Sequence, residues 1–160
     1  MHRRLVLLTL LALSPTLAAA QPPACATPLQ MAERLYKARD FYWQPQSLDG
    51  LLTPSFAHAL QADQRCAARE GVCRLDFDPW TSAQDGDIQG APTFTLVSGG
   101  SQATVVEVRM DYRLALGGRA ARAQSVKIEL QRRGNGCWAV SDLIAPDGQS
   151  LFALLTDAQD

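Results

Sequence analysis

Four carboxylates fall within the stretch LDFDPWTSAQDGDIQG at residues 75–90: Asp76, Asp78, Asp85 and Asp87, with Trp80 and Gln84 among them. Aspartates gathered in a loop can hold a hard cation, satisfy the backbone amides of turns, or meet a basic partner. Calcium takes roughly six to eight oxygens, and the spacing here does not supply them. An EF-hand loop starting at Asp76 needs an oxygen donor where Trp80 stands, a glycine where Thr81 stands and a glutamate where Asp87 stands. Asp78-Pro79 and Asp85-Gly86 have the composition of turns instead. Trp80 reads as exposed among these polar neighbours. A ligand- or partner-binding role for Asp76, Asp78, Trp80, Gln84 and Asp85 therefore stands behind the turn reading and ahead of metal.

Other chemistry is sparse. His58 is the only histidine beyond His2, it falls on a predicted helix, and no Gly-x-Ser-x-Gly nucleophile motif occurs. The cysteines lack CxxC spacing, which argues against zinc. No catalytic residue, metal or cofactor is assigned from these patterns. Aromatic residues offer a second kind of site: Tyr36, Phe41, Tyr42 and Trp43 cluster near the end of the first helix, and Tyr112 and Trp138 fall on strands. Such a set most often builds core. A helix laid across a curved sheet can nevertheless enclose a cavity, which Tyr36, Asp40, Tyr42, Tyr112 and Trp138 would line. An enzyme of that kind would use Asp40 or Asp85 as general base and Tyr36 or Tyr112 as hydrogen-bond donor.

The elements that must position these residues are legible in order. Thr27-Pro28-Leu29-Gln30 has the form of a capping box with proline at the first helical position. Leu29, Ala32, Leu35, Tyr36, Ala38 and Tyr42 then recur at helical spacing up to Pro45. A second helix opens at Thr53-Pro54 and should end near Gly71. After the acidic stretch the period changes to two. Residues 104–116, TVVEVRMDYRLAL, place Val106, Val108, Met110, Tyr112, Leu114 and Leu116 on one face; residues 122–133 repeat the pattern with Val126, Ile128 and Leu130. Matching opposite charges across the hairpin pairs Leu116 with Arg122, which sets Arg109 opposite Glu129 and Asp111 opposite Lys127. Shorter strands at 93–97 and 137–143 flank this hairpin, and Asp147 is placed to cap a last short helix. The sum is an α+β fold: N-terminal helices packed on a curved four-stranded antiparallel meander, with a short C-terminal helix.

The ends and the cysteines set the compartment. Residues 1–20 carry Arg3 and Arg4, an apolar run from Leu5 to Leu13, and Ala18 and Ala20 at A-x-A positions, the form of a secretory signal peptide. Residues 21–160 then make a single α+β domain, long enough for one core and without an apolar run that could span a bilayer. Loss of Arg3 and Arg4 leaves a net charge of about −3, and the remaining basic residues form no stripe that would suit nucleic acid. The expected location is periplasmic or secreted. Four cysteines in an exported chain read as disulfides with three possible pairings. Cys66 with Cys73, and Cys25 with Cys137, is preferred, because the first closes a short loop at a helix end and the second ties the first helix to a late strand.

The order YKARDFYW, LTPSFAHAL, LDFDPWTSAQDGDI, ATVVEVRM and VKIELQRRGNGCWAVSDLI resembles the bacterial exported DUF3828 family, a domain of unknown function. The resemblance covers roughly Ala32 to Leu155. It implies a cystatin-like, nuclear-transport-factor-2-like cone, and it would carry a family motif onto Asp78, Gln84 and Asp85. It implies no activity, since that superfamily holds isomerases and dehydratases as well as binding modules. The functional expectation is a non-catalytic exported binding module that engages a protein or small ligand through residues 75–90, with inhibitor-like proteins as one form. The alternatives are a cone-pocket small-molecule enzyme and a structural envelope protein.

Overall fold

The computed structural model describes residues 25–44, 48, 50–84, 87–113 and 121–157. The expected leader at 1–20, the candidate Asp85, and Leu114 and Leu116 of the expected hairpin lie outside these residues.

Helix α1 (Pro28–Lys37) starts as its sequence dictates: the Thr27 hydroxyl accepts from the Gln30 amide and the Gln30 side chain accepts from the Thr27 amide. It ends earlier than its periodicity suggests. Ala38 leaves helical geometry at φ −100°, ψ 46°, and a tight 3-10 turn (Arg39–Tyr42) follows. That break turns Phe41 and Tyr42 into the core and leaves Asp40 and Trp43 exposed. Helix α2 (Pro54–Glu70) is capped by the Thr53 hydroxyl and stops at Gly71, whose φ of 88° suits a residue without Cβ.

Four strands, β1 (Asp87–Gly99), β2 (Ala103–Arg113), β3 (Arg122–Arg132) and β4 (Trp138–Ile144), form one antiparallel sheet in sequence order. The alternation read from sequence holds: Val106, Val108, Met110, Tyr112, Val126, Ile128 and Leu130 are buried. The register differs from the charge-matched one by four residues. Glu107 faces Lys127, Val106 faces Ile128, Val108 faces Val126, and Arg109 and Asp111 face Ser125 and Ala123. A four-residue offset keeps every side chain on its original face, so the apolar pattern cannot tell the two registers apart.

Helix α1 packs on β1, β2 and β4, while α2 packs on β4 and on helix α3 (Leu151–Thr156). Their common core gathers Leu35, Phe41, Phe56, Leu60, Trp80, Val106, Ile128 and Leu143, each nearly or fully buried. The outer margin of β4 is closed by the strap before α2, where Thr53 N donates to Val140 O and Val140 N to Leu51 O. Helix α3 is capped by Ser150 and not by Asp147, whose carboxylate accepts from Gln149 N in a turn. Buried Asp142 organises this end. Its carboxylate accepts from Leu143 N (2.7 Å), Phe152 N (2.8 Å) and the Ser150 hydroxyl (2.5 Å).

Both preferred disulfides are present, Cys25–Cys137 and Cys66–Cys73, with Cα separations of 5.1 and 5.9 Å. Among the described residues no helix is long and apolar enough to cross a membrane.

Candidate functional site

The loop from Asp78 to Ala83 is a closed turn. Asp78 N donates to Ala83 O (2.9 Å), Asp78 O accepts from Ser82 N (2.8 Å) and Thr81 N (3.1 Å), and Ser82 sits at a positive φ of 51°. The Asp78 carboxylate accepts from Trp80 N at 2.9 Å, as an aspartate opening a turn should. Trp80 is not at the surface. It is 1% exposed, its ring meets Tyr36 and Phe41 edge-on at 5.4 and 6.3 Å, and its indole N–H donates to Arg39 O at 3.1 Å. An aromatic ring with a satisfied N–H is an efficient core piece, and here it pins the acidic loop to the turn after α1.

That pinning creates a cavity of about 230 Å³, lined by Arg39, Asp40, Tyr42, Asp78, Trp80, Asp87 and Ile88. The 3-10 turn supplies Arg39, Asp40 and Tyr42, the closed loop supplies Asp78 and Trp80, and the start of β1 supplies Asp87 and Ile88. Burial pushes the Asp78 carboxyl above the usual carboxylate range, although the Trp80 amide, the Thr81 and Tyr42 hydroxyls and the Arg39 charge all pull the other way. Burial, followed by the Asp78 charge, raises Tyr42 in turn, so at neutral pH its hydroxyl is a proton donor toward Asp78. Three carboxylates against one guanidinium make the cavity suited to a basic group. A carboxyl raised by burial beside a phenol is also the pairing that proton transfer to a small molecule would use.

The candidates from sequence divide between several places. Asp40, Tyr42, Asp78 and Trp80 line this one cavity. Tyr36 lies just behind it, packed edge-on against Trp80 and Phe94, with its ring under the Arg39 guanidinium at 5.4 Å. Asp76 and Gln84 meet at the base of the loop, where the Gln84 amide donates to Asp76 O at 3.2 Å, and neither lines the cavity. Two residues of the expected cone lining, Tyr112 and Trp138, do not line this cavity. Tyr112 is buried in β2 opposite Ile88 and Arg122, and Trp138 is buried at the start of β4 beneath Arg132, whose guanidinium lies 4.4 Å from the ring.

Arg39, Asp87 and Ile88 were missed by sequence reasoning. Asp87 lay in the quoted stretch, and its place as the first residue of a strand beginning DIQ was the signal that could have found it. Arg39 had only its adjacency to Asp40. Comparison with protein-family models, with curated proteins and with solved structures finds no match to this chain.

Proposed function

We propose that this chain is a non-catalytic binding module of an oxidising extracytoplasmic compartment, and that it holds a basic side chain of a protein partner in the Asp78 cavity. The observation that carries this reading is the raised, part-buried Asp78 carboxyl, set beside Asp40 and Asp87 in a cavity. A carboxylate kept from water is stabilised when a lysine or arginine replaces the lost hydration. Trp43, 55% exposed and tilted against Tyr42 at 5.2 Å, adds an aromatic anchor of the kind that dominates protein interfaces. Two disulfides support export, in agreement with the leader-like first twenty residues. The DUF3828 resemblance and a cystatin-like or nuclear-transport-factor-2-like assignment for the α+β sheet belong to the same proposal.

The test replaces Trp43 with a photo-crosslinking residue in the oxidised protein, with and without Asp78→Asn and Asp87→Asn, in a native envelope extract. One protein should cross-link, through a segment holding a lysine or arginine, and the double variant should lose it. Equal cross-linking by the double variant would reject the cavity as the contact. The raised Asp78 carboxyl also favours a second reading, a proton-transferring enzyme of small molecules. That reading requires turnover of a small substrate that Asp78→Asn abolishes.

A further inference from the structure

A second cavity, of about 560 Å³, opens between the start of α2 and the β3–β4 turn and shares no lining residue with the first. Its walls are Gly50, Leu52, Thr53, Pro54, Ser55, Gln131, Arg132, Arg133 and Gly134, which give it two guanidinium groups and no carboxylate among the described residues. Both arginines are held in place by carbonyls. Arg133 Nη2 donates to Leu52 O at 2.5 Å; Arg132 Nε donates to Ser101 O at 2.8 Å, and its Nη1 bonds Gly136 O. Among the described residues neither meets an acidic side chain, and none of those residues accepts a hydrogen bond from Arg132 Nη2 or Arg133 Nη1. Arg133 Nε is the telling atom. It is shut off from solvent and has no hydrogen-bond partner, so this guanidinium is under-satisfied and its outer nitrogens are the ones an acceptor in the cleft can reach.

The start of α2 adds a further donor and a favourable field. Thr53 Oγ accepts from Phe56 N, and Pro54 has no N–H, so exposed Ser55 presents the first amide without an intrahelical acceptor. A 17-residue helix places positive partial charge at that end. Planar guanidinium forks fixed beside free amides match the oxygens of a tetrahedral anion.

We propose that this cleft binds a phosphate group, held by Arg132, Arg133 and the Ser55 amide. Inorganic phosphate is the probe, followed by amide and arginine-side-chain NMR of the oxidised protein at constant ionic strength. The Ser55 N–H and Arg133 Nε–H resonances should shift and saturate with phosphate and stay still with chloride. Arg133→Gln should weaken the titration at least tenfold. Ser55→Glu, which seats a carboxylate at the helix start and leaves the Arg133 bond to Leu52 intact, should do the same, and it carries the test if Arg133→Gln fails to fold. Shifts that match those with chloride, or that survive Ser55→Glu unchanged, would overturn the site. Vesicles with phosphatidylglycerol, against phosphatidylcholine alone, then separate the sources of the group. Co-sedimentation that Ser55→Glu abolishes assigns a lipid headgroup; phosphate titration without co-sedimentation assigns a soluble phosphate compound.

Discussion

At the scale of single residues, Asp78 combines two duties that pull against each other. Its carboxylate seats the Trp80 amide, yet burial makes its charge expensive. A carboxyl whose pKa rises on folding contributes stability that is present below its unfolded value, about 3.9, and lost as pH climbs through the folded value. Asp78→Asn keeps an oxygen for Trp80 N and removes the charge. Its melting temperature should therefore exceed that of the parent at pH 7, with the difference closing below about pH 4, in a series of thermal melts across pH. Trp80→Ala should be the opposite case, losing about 3–5 kcal/mol in urea titration as a core residue that also joins two segments. The sequence showed the acidic loop and the aromatic cluster but not that they form one site. Asp40 and Asp78 are 38 positions apart, and what unites them is a contact between Trp80 and Arg39 that no local pattern encodes.

At the scale of elements, helix starts were readable and pairings were not. Thr27 and Thr53 announce their helices because a cap is settled within four residues, and the strand alternation settles which face is buried. Register depends on partners far along the chain. Charge matching favoured two ion pairs, each worth below about 1 kcal/mol, whereas the observed register stacks Val106 on Ile128 and Val108 on Val126, keeps neither of those pairs and sets Glu107 opposite Lys127 instead. Paired cysteines test this directly. Glu107→Cys with Lys127→Cys should cross-link on oxidation, and Arg109→Cys with Glu129→Cys should not, as read by mass spectrometry. The cap of α3 was misassigned locally, since Ser150 stands nearer the helix than Asp147, but the second acceptor at that end, Asp142, comes across from β4. Asp142→Ala, which strips acceptors from two amides and a hydroxyl, should cost on the order of 3 kcal/mol in urea titration.

At the scale of the whole molecule, helices before strands and an even set of cysteines were enough to read an α+β fold with its two disulfides, while the two cavities, each built where segments distant in the chain meet, were not foreseeable from spacing. The bonds are unequal in reach. Cys25–Cys137 spans 112 residues and Cys66–Cys73 spans 7. Loop-closure entropy assigns about 4.7 kcal/mol to a loop near the larger size and roughly 2.5 kcal/mol to the smaller. Removing the longer bond by Cys25→Ser with Cys137→Ser should thus lower stability about twice as much as Cys66→Ser with Cys73→Ser, measured by urea denaturation. The nesting of one bond inside the other also has a consequence in time. As the chain emerges from its N-terminus, Cys66 and Cys73 can meet across a short loop at once, but Cys25 must wait for Cys137, and an oxidant that joins Cys25 to either earlier cysteine makes a wrong pair. A native yield of this protein therefore depends on either late oxidation or an isomerase able to undo an early mistake.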